Sequence, residues 1–261
     1  FQGFTLRGGR TKDSYNNSPG YGAALQCSKD GNNPCYNTYI VDCIIEDCIG
    51  GMSVTLGGTF VRCRFTDTAY TWAPASIGQT VLLTSGSRLM NCLFDNNRTV
   101  DPVTHGPVLT SFLFGNGSKF VNCTLMGNLS CFWNANTTHW YNTVDSTTHL
   151  PTDDGAIHAN RHSDSTTKCL LIAPTLGDYR VRKGSDAETG GSAQYLADTT
   201  AFPLPDAINR FRDIDNNPIP TTGTICVGCC QTVIEPAGGC LYSNLGNLYF
   251  DDTTNTYYQG G

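Results

Sequence analysis

Val41-Asp42-Cys43-Ile44-Ile45, Val61-Arg62-Cys63-Arg64-Phe65, Met90-Asn91-Cys92-Leu93-Phe94 and Val121-Asn122-Cys123-Thr124-Leu125 are four copies of one pattern. Each reads apolar, polar, Cys, any residue, apolar, and each is followed by a turn. The cysteines lie 20, 29 and 31 residues apart. Self-similarity at such a spacing is the mark of one structural unit stacked on the next. Val41, Cys43 and Ile45 alternate with more polar neighbours, as do their counterparts, which predicts a half-buried strand with those three side chains on one inward face. Turn formers follow at Glu46-Asp47, Thr66-Asp67, Asp95-Asn96-Asn97 and Gly127-Asn128. Asn and Asp tolerate left-handed backbone and bond their own main chain, which suits a tight corner.

Between these strands lie Gly-led apolar runs at Gly50–Val54, Gly78–Leu83 and Gly106–Leu109, with an earlier copy at Gly20–Leu25. Weaker copies follow: Trp140–Val144 puts Thr143 in the Cys slot, and Lys168–Leu171 comes later. A coil of this length with two or three short strands is the unit of a parallel β-helix. The predicted fold is therefore all-β, a right-handed parallel β-helix (solenoid) with an irregular Cys-rich C-terminal cap. Six or seven coils at about 4.8 Å each make a rod roughly 30 Å long. Longer loops are expected at 67–77 and 97–105, and a less regular excursion at 145–164. The boundaries read 1–176 for the coils, 177–230 for a closing block and 231–261 for a cap or tail. Within that tail, 248–250 and 256–258 read as a small hairpin.

Composition agrees with an all-β chain. Only 15% of the 261 residues are charged and 28 are Gly. The net charge of −6 comes with no run of Lys or Arg, which argues against a nucleic-acid partner. No apolar stretch reaches the 18 residues of a membrane span. The chain starts at Phe1 inside a repeat, which suggests a processed or truncated product whose targeting segment was removed. Thirteen cysteines are many for a cytosolic protein, and the odd count leaves at least one outside any internal disulfide. Six Asn-x-Ser/Thr sequons occur, at Asn16, Asn97, Asn116, Asn122, Asn128 and Asn136.

The Asn91-Cys92-Leu93-Phe94 and Asn122-Cys123-Thr124-Leu125 strands resemble those of bacterial right-handed parallel β-helix repeat proteins. Asp178-Tyr179-Arg180-Val181, Gly184-Ser185-Asp186-Ala187, Asp213-Ile214-Asp215-Asn216-Asn217-Pro218 and Gly223-Thr224-Ile225-Cys226-Val227-Gly228 resemble the C-terminal block of exported choice-of-anchor β-helix proteins. That block commonly has Pro where Asp186 stands, Arg at Ile219 and an Asp-Ile-Gly-Ala-Tyr core in place of 226–230. The resemblance covers about residues 1–230. It implies the fold and export to the cell surface or medium, and it carries no catalytic residues.

Several groups invite chemistry. Cys43, Cys63, Cys92 and Cys123 form a core ladder, read as buried thiols acting as small hydrophobes. Cys27, Cys35, Cys226, Cys229, Cys230 and Cys240 read as disulfide candidates stapling loops and the cap, ahead of a zinc site. Asp153, Asp154, His158, Arg161 and His162 are the densest titratable cluster and the candidates for acid–base work on a polysaccharide. Trp72, Trp133, Trp140 and Tyr141 read as outward aromatics able to stack on sugar rings. Asp213–Asn217 offers oxygens but lacks the spacing of a calcium loop, so it reads as a plain turn, and neither metal nor cofactor is expected.

The expected function is an exported, non-catalytic β-solenoid serving as a cell-surface, adhesive or structural module. It would meet a polysaccharide or cell-surface glycan, or assemble with itself as a homo-oligomer or end-to-end filament. The alternatives are a polysaccharide lyase or glycoside hydrolase on the same scaffold, or a phage tailspike-like glycan-binding protein.

Overall fold

The structure is a computed structural model. It describes residues 2–9, 21–26, 28–29, 33–34, 38–50, 52–55, 58–67, 69–71, 82–83, 86–100, 107–108, 113–114, 118–126, 132–133, 139–145, 157–164, 170–234, 248–251 and 256–259. Cys27, Cys35, Trp72, Asp153, Asp154 and Cys240 lie outside the described residues.

The chain winds as a right-handed parallel β-helix, with ten parallel strands curled 299° round an axis. Each coil lays one strand on each of several stacks. The first stack holds Tyr39–Val41, Thr59–Val61, Arg88–Met90, Lys119–Val121 and the start of His139–Asp145. The second holds Thr5–Arg7, Ile44–Glu46, Arg64–Thr66, Leu93–Asp95 and Thr124–Met126, and continues into the end of His139–Asp145. Ile157–Ser163 adds a further rung, paired in register from Ile157 opposite His139 to Ser163 opposite Asp145. The segment expected to be an excursion thus contains a regular strand. A third stack holds Ile49–Gly50, Ala69–Thr71 and Arg98–Val100, so both expected long loops begin as strand. A fourth holds Tyr21–Gln26, Met52–Thr55, Leu82–Leu83, Leu113–Phe114 and Phe132–Trp133. Pro107–Val108 runs antiparallel to Arg98–Val100, so the rung below Leu82–Leu83 is Leu113–Phe114 and not the Gly106 run.

One backbone feature decides which side chains face inward. Between first and second stack sits a corner residue with left-handed backbone: Asp42, Arg62, Asn91, Asn122, Asn142 and Asn160, with φ from 50 to 57°. Gly3 precedes them with φ 72°. A second corner column follows at Gly8, Asp47, Asp67 and Asn96. Asn, Asp and Gly are the residues that adopt this conformation most cheaply. The corner breaks simple alternation. Ile40, Cys43 and Ile45 share the interior, while Val41 faces out, and the same split holds in the next three coils. The expectation that Val41 and Cys43 share a face is therefore corrected, because the left-handed residue between them turns the strand.

The interior is a set of columns. Phe65 stacks on Phe94 at 4.7 Å, and Phe120 on Trp140 at 4.3 Å. Beside them run the ladder thiols, buried as expected. Cys63, Cys92 and Cys123 each donate to the carbonyl two residues earlier and to one in the preceding coil; Cys43 donates to Val41 O. Thr143 pairs with Arg161 and takes the same rung position after Cys123. Burial holds the Cys63 and Cys92 thiols well above their ordinary pKa of 9.0.

Residues 170–234 lie lengthwise along the flank of the coils as a strap. Leu171–Ala173, Asp178–Arg182 and Val233–Ile234 form a small sheet, and Gly191–Ser192 pairs Thr224–Ile225. Leu171–Ala173 is antiparallel to its partner and is no further coil of the helix. The strap lays Ala193, Leu196, Phe202, Ile219 and Ile225 on the outward Val41, Val61, Met90 and Val121. Across the corner, Leu170, Leu171, Tyr179, Val181, Val227 and Cys229 cover Leu93, Met126 and Val144. Each Val, Leu, Ile, Phe or Met among them contributes about 1.5–3 kcal/mol when fully buried. The tail forms the expected hairpin, Leu248–Asp251 with Thr256–Gln259.

Corner side chains pin the strap. Asn142 exchanges hydrogen bonds with Ser192, its Nδ2 donating to Ser192 O and its Oδ1 accepting from Ser192 N. Asn91 Nδ2 donates to the carbonyls of Arg210 and Arg212. Arg62 grips Asp42 at 2.6 Å and donates to Asn209 O.

Two outcomes follow from these columns. Asn142→Ala combines a left-handed strain of about 1–2 kcal/mol with lost strap bonds of about 1–3 kcal/mol. Urea denaturation should show a loss of about 2–4 kcal/mol, with Asn142→Gly losing less because glycine keeps the corner. Thiols whose folded pKa is raised contribute stability that is complete below the unfolded value of 9.0 and is lost as pH rises above it. Stability should therefore fall between pH 8.5 and 11, and fall less in a Cys63→Thr/Cys92→Thr variant, which uses the residue already found at position 143.

Candidate functional site

Of the five residues expected to carry acid–base chemistry, three lie among the described residues. His158, Arg161 and His162 belong to one strand, with the left-handed Asn160 between them. His158 takes the register position of Trp140, and Arg161 that of Thr143. Arg161 Nε lies 2.8 Å from Asp145 Oδ2, and Asp145 follows Leu125 in register. A buried ion pair thus replaces the apolar residues of the earlier coils. Its carboxylate is 1% exposed, so Arg161 serves as the counter-ion of a buried acid. His162 follows Val144 in register, and its ring packs where a side chain on Gly190 would stand.

The sugar-stacking expectation is corrected for Trp140, which is 1% exposed in the core. Its register partner is Phe120, an interior residue, so the ring inherits an interior column. Tyr141, one residue on, faces out under the strap and stacks on Tyr195 at 4.7 Å. Trp133 lies on the fourth stack.

The disulfide expectation is corrected for Cys226, Cys229 and Cys230, which are buried unpaired thiols. The loop that carries them is held by hydrogen bonds instead. Gln231 accepts from Cys226 N and donates to the carbonyls of Cys226 and Gly228, and Cys229 N donates to Thr124 Oγ1. Burial pushes Cys226 up to about 11 and Cys230 up to about 12, so neither is a thiolate near neutral pH.

Asp213, Asp215 and Cys230 bring three ligand atoms within 4.8 Å of one another. The Asp213 carboxylate already accepts from Asp215 N, Asn217 N, Asn217 Nδ2 and Gln231 N. Four N–H groups satisfy its lone pairs, which makes the plain turn expected from the sequence.

The structure does assemble a polar seam that sequence reading missed. Where the strap meets the second stack, Arg64 reaches Asp215 at 2.5 Å, Cys230 Sγ donates to Asp215 Oδ2, and Tyr179 lies beside Asp95. Burial is the main cause that raises the Asp95 carboxyl above its ordinary value, with Asp67 adding to it. Burial and Asp95 likewise raise Tyr179. These groups come from segments more than eighty residues apart, so no local motif announces them. The seam holds proton-bearing groups at the strap edge, with Asp215 exposed.

In comparisons with protein-family models, curated proteins and solved structures, nothing matched the chain. The sugar-contact and export readings thus rest on the sequence alone. Two of the six sequons have a defined place in the fold: Asn97 and Asn122 are 2% and 0% exposed and cannot carry a glycan in the folded chain.

The Asp145–Arg161 reading gives a clear expectation. Arg161→Ala leaves a buried carboxylate without its counter-charge and should cost about 3–5 kcal/mol in urea denaturation, whereas Asp145→Asn with Arg161→Gln together should cost less than Arg161→Ala alone.

Proposed function

We propose that the protein is a non-catalytic β-solenoid, a structural or adhesive module of the exported kind that its C-terminal block resembles. The observation that carries this reading is the strap. Lyases and hydrolases on such scaffolds work on the outer face of the coils or in loops. Here the outward Val41, Val61, Met90 and Val121 column is buried, and so are Leu93, Met126 and Val144. The strap spends that face on cohesion. Of the titratable residues expected to act together, Arg161 is held in a buried ion pair and His162 packs against Gly190 of the strap. No helix among the described residues is long and apolar enough to cross a membrane.

A solenoid whose first and second stacks are covered by a strap suits a spacer or a display scaffold. Contact with a polysaccharide or cell-surface glycan would then fall to the third and fourth stacks or to the loops between coils. Self-association, as a homo-oligomer or filament, belongs to the same reading.

Incubation with uronic-acid polymers and neutral polysaccharides should yield no unsaturated or reducing-end products. Turnover that His158→Ala abolishes would overturn the proposal in favour of a lyase or hydrolase. Size-exclusion chromatography with light scattering should give a monomer or a concentration-dependent assembly; a detergent-resistant trimer would point to the tailspike-like alternative.

A further inference from the structure

We propose that the column Cys43–Cys63–Cys92–Cys123 is a binding site for a soft cation that takes two sulfur ligands in line, with Cu(I) as the ligand of choice. The geometry carries the inference. The flanking residues pair without offset: Val41, Val61, Met90 and Val121 before the cysteines, and Ile44, Arg64, Leu93 and Thr124 after them. Cys63, Cys92 and Cys123 donate to equivalent pairs of carbonyls, so their sulfurs repeat with the coil. Adjacent strands stand about 4.8 Å apart. Two metal–thiolate bonds of about 2.3 Å laid end to end span about 4.6 Å. A cation between successive sulfurs therefore needs no added volume at right angles to the column. Each thiol already interacts with the next, Cys43 with Cys63, Cys63 with Cys92 and Cys92 with Cys123.

The donor set selects the metal. Thiolates in an apolar setting favour soft ions such as Cu(I). Zinc takes four ligands in a tetrahedron, and a straight column offers two in line. Charge also balances. Cu(I) meets one S–H, which loses its proton to solvent and forms a copper–sulfur bond, and the neighbouring thiol donates a lone pair. The product is neutral, as a core lined by Phe60, Phe65, Phe94 and Phe120 requires. The column ends on a second pointer: Thr143 Oγ1, the next rung, is fully buried without a hydrogen-bond partner. It closes the sulfur run with a poor ligand for a soft ion.

The test uses the full chain, reduced and denatured, then refolded without oxygen in the presence of Cu(I) supplied as its acetonitrile complex. A variant with the other nine cysteines replaced by Ser isolates the column. It should retain at least one equivalent of Cu(I) through desalting, release one proton per ion, and show two sulfur neighbours by X-ray absorption. Cys63→Thr/Cys92→Thr in that background should lower retention at least tenfold, since the remaining sulfurs, Cys43 and Cys123, stand three rungs apart, with circular dichroism confirming the fold. Retention that survives this double substitution, three or four sulfur neighbours, or equal retention of Zn(II) each overturns the proposal. So does a folded column-only chain that retains no copper.

Discussion

The left-handed corner between the first and second stacks is the constraint on which the rest of the structure depends. At Asp42, Arg62, Asn91, Asn122, Asn142 and Asn160 the backbone takes φ between 50 and 57°. That one dihedral sends the preceding residue outward and the following cysteine inward. Without it, Val61 and Cys63 would lie on one face, and the strap would have nothing apolar to dock on. The corner side chain then performs a second task. It faces the strap, and in three coils it supplies the hydrogen bonds that fix the strap in place. Backbone geometry and tertiary docking thus share the same residues.

Arg62 shows how far this sharing goes. It holds the left-handed corner although arginine is not favoured there, and it is 7% exposed. Its guanidinium pairs with Asp42 in the coil before and reaches Asn209 in the strap. Burial raises the Asp42 carboxyl, but hydrogen bonds from Arg62 and Gln2 outweigh it, and the net shift is downward. This pair stabilises the fold above the carboxyl's ordinary pKa of 3.8 and releases it as pH falls below. Local strain at one rung is offset by contacts that only the completed fold provides.

Much of the helix was legible in the sequence because coils repeat. The thiol column, the Thr143 rung and the tail hairpin follow from spacing and alternation. The Asp213 turn was legible too, because its oxygens lack the spacing of a calcium loop. Trp140 was misread because a tryptophan amid polar residues looks like a surface residue. Placing Thr143 opposite Cys123 already puts Trp140 opposite Phe120, and the column was the better guide. The corner was hidden by Arg62, which broke an otherwise plain Asp, Asn, Asn series. The closing block was legible as a separate segment at 177–230, but its docking along the coils was not. Thr124 meets Cys229 across 105 residues and Arg64 meets Asp215 across 151, and no periodicity connects such partners.

The outward Val–Val–Met–Val column is where the fold can be tested most directly. Hydrogen exchange on Val121→Asp, compared with the unaltered chain, separates the two faces of the strand. A charge under the strap should raise exchange across residues 187–228, including the amides of Ser192 and Gly228 that Asn142 holds. The amides of Arg64, Leu93 and Thr124, which bond to cysteine carbonyls of the preceding coil, should keep their protection. Loss of protection in coils and strap together would place Val121 in the interior, and no change in either would leave that face open; both results contradict a strap docked on the corner.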